Sequence, residues 1–375
     1  MVMLIGIDGN EANIERRVGV NVYAYELLRN IYELQGEWEA RHRLVVYLNQ
    51  PPFEDLPKEN DRFKYNVIPG KGLWIIKNLM PSLFLARDRP DVFFTPSHYV
   101  PPLAPMPRVC SIMDLGYLEF PAQFKKYDYW QLKYWSAWSI SVSKKIIAIS
   151  ESTKRDILKQ YPLARDKVVI TYLGYDREHF NARVSISQVK DSNKYSIGLP
   201  YILFLSTLKP SKNIENLLVA WKLISNRFPR TLLVISGKKG WLYEAIFRKL
   251  KSLGIEKRVV FTDFVPEEDK PALISGAKLF VLPSYWEGFG LDVLNAMACG
   301  VPVVVSDRGS LPEVAGNAGI VVDPKDPQSI ARGIAKVLSM PGAEYNNLVK
   351  KGFSQVSRFS WEDTARKTIK ILEEI

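Results

Sequence analysis

Glu287 stands directly before two glycines and a helix start, in Pro283-Ser284-Tyr285-Trp286-Glu287-Gly288-Phe289-Gly290-Leu291. A strand, a glycine-bearing turn and a helix amino terminus together make an anion site. Gly288 and Gly290 let backbone N–H groups approach closely, and the helix dipole favours negative charge there. The Glu287 carboxylate is placed to accept hydrogen bonds from ligand hydroxyls. Taken alone, the segment is equally a plain turn whose glycines serve geometry. A second anion contact lies in Thr207-Leu208-Lys209-Pro210-Ser211-Lys212-Asn213, between a strand and a helix. Lys212 is expected in the first helical turn, where a cation opposes the dipole. A lysine set against that preference points to a phosphate partner, with a solvated lysine as the alternative. His98 follows a strand in Thr95-Pro96-Ser97-His98, where open α/β sheets place their crevice. Of the other two histidines, His42 in Arg41-His42-Arg43 reads as surface and His179 has no evident chemical role. Neither half shows an Asp-x-Asp pair or a His/Cys cluster, so no metal site is expected.

The elements that must carry these residues follow from the pattern. Short β-branched runs alternate with amphipathic stretches from end to end, which predicts an α/β fold of doubly wound parallel sheets. In the first half strands are expected over 4–8, 44–48, 91–95, 108–113, 145–149 and 167–171, with helices over 22–34 and 127–142. In the second half strands are expected over 201–205, 231–236, 259–261, 278–282, 302–305 and 320–322. Helices alternate with them near 213–228, 241–253, 270–276 and 291–300. A chain of 375 residues exceeds the size of a single growing core. The expected domains are 1–185 and 199–358, joined by a polar Ser/Asn/Lys-rich linker over 186–198. A last helix, 359–375, opens with Ser360 as N-cap and Asp363 at the third helical position, close to a capping box.

Four segments in this order resemble the retaining nucleotide-sugar glycosyltransferases of family 4, which have the GT-B fold. The 206–213 segment is similar to their G-T/R-x-x-P-x-K-N motif, and Phe261-Thr262-Asp263-Phe264-Val265-Pro266 to a segment near the nucleobase. The run 283–302 is close to the family signature, and Ser306-Asp307-Arg308-Gly309-Ser310-Leu311-Pro312-Glu313-Val314 continues it. The resemblance implies two Rossmann-like domains facing across a cleft. It implies that Lys212 contacts the donor diphosphate and Glu287 the sugar hydroxyls, with backbone of Gly288, Phe289, Gly290 and Leu291 completing the pocket. Thr207, Asp263 and Val265 join the donor site on the same ground. Gly19 would belong to a glycine loop opposite the donor phosphates, and His98 would lie beside the reacting sugar. Ser111-Ile112-Met113-Asp114-Leu115 resembles T-x-H-D-L with methionine in place of histidine, which keeps Asp114 and shifts the burden to His98.

The family carries a second glutamate eight positions after the first, for the nucleotide ribose. Asn295 stands there, and Asp292 replaces a frequent proline. Asn295 can still donate and accept hydrogen bonds. The expectation is that Asp292 points away from the phosphates and Asn295 keeps the ribose contact at some loss of affinity. The reaction implied is retaining transfer of a sugar from a nucleoside-diphosphate donor, without metal or cofactor, to a glycan or lipid-linked acceptor. The 207–213 form leans towards mannosyl transfer in cell-surface glycan synthesis. A non-catalytic sugar-nucleotide-binding relative and a same-fold sugar-nucleotide epimerase remain alternatives.

Composition bounds the partners. Hydrophobic content of 47% and charged content of 24% describe an ordinary globular protein. Cys110 and Cys299 are too few for a disulfide framework and fit a reducing cytosol. The amino terminus does not read as a signal peptide, and no apolar run approaches the ~18 residues of a membrane span. A net charge of +11 admits nucleic acid, an anionic membrane or phosphorylated substrates. Dispersed Lys and Arg, mixed with acidic residues, argue against nucleic acid. Aromatics and lysines crowd 120–145, and 71–85 adds an apolar-basic patch. These suit a membrane surface or a lipid-linked acceptor; a core helix with a solvated lysine face is the alternative. The expected location is cytoplasmic, with peripheral attachment to the inner membrane face as an option.

Overall fold

A computed structural model describes residues 2–38, 42–182, 195, 197–198 and 200–375. The chain forms two compact units, Met1–Gly174 with Ser360–Ile375, and Tyr175–Phe359. The expected linker, 186–198, lies outside the described residues apart from 195, 197 and 198.

The first unit is built on seven strands: β1 (Leu4–Asp8), β2 (Arg43–Leu48), β3 (Phe63–Val67), β4 (Val92–Thr95), β5 (Arg108–Ile112), β6 (Lys145–Ala148) and β7 (Val168–Ile170). They form one parallel sheet in the order β3-β2-β1-β4-β5-β6-β7. Its helices are α1 (Val20–Glu33), α2 (Met80–Leu85), α3 (Gly116–Glu119), α4 (Lys126–Val142) and α5 (Glu151–Gln160). Central strands β1 and β4 are buried at every residue, because helices cover both faces of a parallel sheet. Strand β3 was not expected. Its sequence, Phe-Lys-Tyr-Asn-Val, mixes lysine and asparagine into the run because it lies at the sheet edge and is buried only at Phe63.

The second unit has six strands: β8 (Tyr201–Leu205), β9 (Leu232–Ser236), β10 (Val259–Asp263), β11 (Leu279–Leu282), β12 (Val303–Ser306) and β13 (Gly319–Val322). They also run parallel, in the order β10-β9-β8-β11-β12-β13. The helices are α6 (Ile214–Ile224), α7 (Glu244–Leu253), α8 (Lys270–Ser275), α9 (Leu291–Ala298), α10 (Leu311–Ala315), α11 (Pro327–Leu338) and α12 (Gly342–Val356). The strand order reverses beside β1 in one unit and beside β8 in the other. At such a switch point the loops leaving adjacent strands diverge and open a crevice at the strands' carboxyl ends. Those loops carry the candidate residues: 9–19 and 96–98 in the first unit, 206–213 and 283–290 in the second.

The last helix, α13 (Trp361–Glu373), belongs to the first unit and packs against α1. Ser360 caps it as expected, its Oγ accepting from the Asp363 N–H at 3.2 Å. The Trp361 and Tyr23 rings lie 6.3 Å apart, and Thr364 Oγ1 donates to the Tyr172 carbonyl at 2.5 Å. His42, expected at the surface, is buried. Its Nδ1 accepts from the Met3 N–H at 3.2 Å and its Nε2 meets Glu373 Oε1 at 2.7 Å. The flanking arginines suggested solvent, but a helix more than 300 positions away in sequence closes over the ring. Trp361 is the anchor of that helix. Trp361→Ala removes a buried indole and is expected to cost about 3–5 kcal/mol in urea denaturation.

Candidate functional site

In the second unit, β8 and β11 pair side by side, so the loops that leave their carboxyl ends are neighbours. The chain fastens them to one another. The Tyr285 N–H donates to the Ser211 carbonyl at 2.8 Å. Asn213 takes a left-handed conformation (φ 57°) before α6 and sends its Nδ2 to the Pro283 and Pro324 carbonyls at 2.9 and 2.7 Å. One buried amide thus ties the loops after β8, β11 and β13, and asparagine tolerates that backbone better than most residues. Asn216 repeats the tie, bonding the Tyr285 hydroxyl and the Pro324 carbonyl.

This scaffold brings Lys212 and Glu287 together across 75 residues of sequence. Lys212 Nζ lies 2.5 Å from Glu287 Oε1, each side chain only 12% exposed, and Ser284 Oγ donates to the same oxygen at 2.7 Å. Lys212 was expected in the first turn of the helix. It lies instead in a 3-10 turn, Pro210–Lys212, because left-handed Asn213 interrupts the chain before α6 begins. The Glu287 backbone is pinned from the other side, its carbonyl accepting from the Ser310 N–H at 3.1 Å and Ser310 Oγ at 3.0 Å. Ser310 Oγ also reaches the Phe289 carbonyl at 2.8 Å. Gly309 makes this approach possible: it has φ 59°, and a Cβ there would come within 2.4 Å of the Glu287 carbonyl oxygen. Gly290 (φ 96°) then turns the chain into α9, so the free N–H groups of that helix start from Leu291 beside the ion pair.

Asp292, expected to point away from the phosphates, feels Lys270 and Glu267 of the α8 side most strongly, and Lys212 and Glu287 less. Burial pushes its carboxyl above the usual range, and Glu267 and Glu287 push the same way, opposed by Lys270 and Lys212. Burial pulls Lys270 down, but Asp292 and Glu267 outweigh it and leave the ammonium above its ordinary value. Two lysines and three carboxylates therefore share one site. Asn295, about one and a half turns along α9 from Gly290, is 7% exposed, and its side chain has no hydrogen-bond partner among the described residues. Thr207 begins the loop that ends at Lys212. Asp263 ends β10, two strands away, and buried Val265 follows it; Asp263 has φ 55° and meets Lys239 at 3.2 Å. The loops after β9 and β10 are joined by the Gly237 N–H to the Asp263 carbonyl at 2.9 Å.

In the first unit, His98 follows β4 and is partly buried, its Nδ1 3.3 Å from Ser136 Oγ. Burial lowers its pKa, and the nearby Asp114 carboxylate raises it. Asp114 Oδ1 accepts from the Gly116 N–H at 2.8 Å. Gly19 precedes α1 with φ 55° and open space where a side chain would stand. Sequence reasoning missed the most perturbed carboxyl here. Asp8, at the end of β1, is buried and its pKa is pushed up to about 7, against hydrogen bonds from Asn10 at 3.1 and 2.8 Å. Burial likewise raises Glu11, which accepts from Asn21 Nδ2 at 2.5 Å. Nothing in the sequence signals Lys270, which enters only through the packing of α8 near α9.

Residues 187–355 match the family model described as Glycosyl transferases group 1, and residues 18–179 match Glycosyltransferase Family 4. O-antigen chain mannosyltransferase B of Escherichia coli is 34% identical over 237 residues, which cover 62% of this chain and 61% of the relative. The chain thus spans about three fifths of that relative's length. A sucrose-phosphate synthase from Thermosynechococcus elongatus superposes with a TM-score of 0.75 at 18% identity, over 99% of this chain and 98% of its own. Anabaena HepE, solved in complex with UDP and glucose, superposes at 0.74 with 17% identity over the whole of both chains. Both likenesses show the α/β architecture expected from sequence, two parallel sheets covered by helices.

Asp8 yields a signed pH dependence. Between about pH 4 and pH 7 the unfolded chain releases the Asp8 proton while the folded chain keeps it, so stability falls as pH rises. Above pH 7 the cost is complete. Asp8→Asn keeps the acceptor for Asn10 and removes the cost. Denaturation should find the variant equal to the parent near pH 4 and more stable at pH 8, by at most about 4 kcal/mol.

Proposed function

Because this chain belongs to the group 1 and family 4 glycosyltransferases, we propose that it moves a sugar from a nucleoside-diphosphate donor to a hydroxyl of a glycan or lipid-linked acceptor. The observation that carries this reading is the Lys212–Glu287 pair, held at 2.5 Å at the switch point beside the start of α9. In this reading the diphosphate shares Lys212 with Glu287 and takes N–H groups from Gly288 to Leu291. Glu287 then holds sugar hydroxyls. The Asn295 amide, without a hydrogen-bond partner among the described residues, receives the ribose. Thr207, Asp263 and Val265 border the nucleotide, while Gly19, His98 and Asp114 keep the roles that the resemblance gives them.

Departure of the diphosphate breaks the bond to the anomeric carbon. The acceptor oxygen attacks from the same face and the leaving phosphate oxygen takes its proton, so the configuration is retained. Positive charge for the departing phosphate comes from Lys212 and the helix amino terminus, in a partly dry site where such groups act strongly. No metal or cofactor beyond the donor is needed, and nucleic acid has no part. The curated relative is a mannosyltransferase, which favours a mannosyl donor and cell-surface glycan synthesis. A lipid-linked acceptor would bring this cytoplasmic enzyme to the inner face of a membrane.

A thermal-shift screen of nucleoside diphosphates and their sugars identifies the donor, since ligand binding raises stability with concentration. With that donor, Lys212→Ala and Glu287→Ala are each expected to lower transfer by roughly a hundredfold or more, and a chelator to leave it unchanged. Nucleoside diphosphate should appear only when acceptor is present. Full transfer by both variants would overturn the assignment, and release without acceptor would point to a different reaction.

A further inference from the structure

Helix α4 turns large aromatic side chains to water. It buries Ser136, Ser139 and Ile140 and exposes Tyr127, Trp130, Tyr134 and Trp138. The four aromatics are spaced by three, four and four positions, so they line one face over about 16 Å of helix. Tyr127 is 70% exposed. Trp130 and Tyr134 stack at 5.3 Å with planes 8° apart, and Lys133 Nζ lies 5.3 Å from the Trp130 ring. The serines on the hidden face let α4 sit close to the chain after β4: the Val100 N–H donates to Ser139 Oγ at 3.2 Å. The core contact is made by other side chains of the helix, with Ile140 buried and Tyr129, Leu132 and Val142 packed against the same cluster, so the exposed aromatics are additional to it.

The stripe continues beyond the helix. Trp138 Nε1 donates to the Pro102 carbonyl at 3.2 Å, and Leu103 beside it is exposed. Ala104 and Met106 then pack with Trp74, Leu79 and Leu83 of the α2 region, whose end leaves Leu85 84% exposed. Both helices cover the same sheet face. The α2 region packs on Phe93, which shares a face with Thr95 two positions on; Thr95 pairs with Cys110, on which α4 packs. The net charge on both segments is positive. Residues 71–89 carry Lys71, Lys77, Arg87 and Arg89 against Asp88, and residues 124–145 carry Lys125, Lys126, Lys133, Lys144 and Lys145 against Asp128.

We infer that this face of the first unit docks on an anionic lipid bilayer, with the α4 aromatics seated at the headgroup level and the lysines over lipid phosphates. Tryptophan and tyrosine, with an apolar ring and a polar edge, suit that boundary better than a dry protein interface would, and lysine stems span it. Each basic residue near an anionic surface adds attraction that salt weakens. Among the described residues no helix is long and apolar enough to cross a membrane, so contact would be with the surface. The inference deepens the lipid-linked branch of the proposed function and rests on it only for its purpose, since docking is measured without donor or acceptor.

Flotation of the full chain with phosphatidylglycerol vesicles, and with phosphatidylcholine vesicles as the neutral arm, tests it. The chain should float with the anionic vesicles, and roughly tenfold less on raising salt to about 0.5 M. The triple variant Tyr127→Ser, Trp130→Ser, Tyr134→Ser should lose roughly tenfold or more in vesicle binding while keeping its thermal stabilisation by nucleoside diphosphate. That second readout reports the fold and the donor site separately from docking. Three results would overturn the inference: no flotation of the parent chain, equal flotation of the triple variant, or self-association that the same substitutions abolish in a chain that ignores vesicles.

Discussion

Lys212 and Glu287 meet at 2.5 Å with little of either side chain in water, and the rest of the second unit is arranged around that contact. Withdrawing two such ions from solvent costs several kcal/mol each, and their attraction returns this only when further hydrogen bonds satisfy them. Ser284 supplies one to the carboxylate, and the Ser310 contacts hold the backbone that carries it. A well-packed apolar pair in the same place would be at least as stable, so the pair is poor evidence for stability and good evidence for ligand chemistry. The surrounding charges sharpen this. Lys212 pairs with Glu287 and Lys270 with Glu267, and Asp292 feels all four charges, a set that is not a plain positive hole. Burial raises the Asp292 carboxyl there, against the pull of Lys270 and Lys212.

The ion pair is possible only because the sheet order reverses beside β8. Adjacent parallel strands whose chains cross over in opposite directions leave a gap above their ends, and side chains from loops distant in sequence project into it. Asn213 then does for three loops what a disulfide would do, with one amide and two carbonyls. The first unit repeats the plan around β1 with different contents. Its loops hold a buried Asp8, Glu11 bonded to Asn21, and His98 beside Ser136, all partly removed from water and all shifted by it.

Much of this was legible in the sequence, for physical reasons. Central parallel strands must be apolar on both faces, so β1, β4, β8, β11 and β12 announce themselves as short β-branched runs. Edge strand β3 carries polar residues and hides. The 283–295 stretch was readable because a turn that admits a ligand needs glycine at fixed places, and Lys212 because the loop motif carries it. Lys270, the burial of His42 and the perturbation of Asp8 were not, since each depends on what lies across the fold. The sequence neighbours of His42 are arginines, whereas its structural neighbour is Glu373. The strongest charge partner of Asp292, Lys270, was equally hidden, since it reaches α9 only through the packing of α8.

Helix α4 shows the same limit from the other side. Its composition was plain, but its orientation was not, because aromatics occupy both faces and the helical period is masked. Trp135 turns inward to the Val100 carbonyl at 3.0 Å, its ring tilted 47° against Tyr99, while Trp130 and Trp138 turn out. The side that faces the protein is marked by serines, which sequence reasoning treats as polar and exposed. They are buried because each finds a partner, Ser139 the Val100 N–H and Ser136 the His98 ring. Ser136 therefore joins two things at once: it lets α4 sit low on the sheet, and it holds the imidazole that follows β4. The helix that presents the aromatic stripe is thus also the helix that orients His98, so the surface and the candidate site of the first unit share one rigid element.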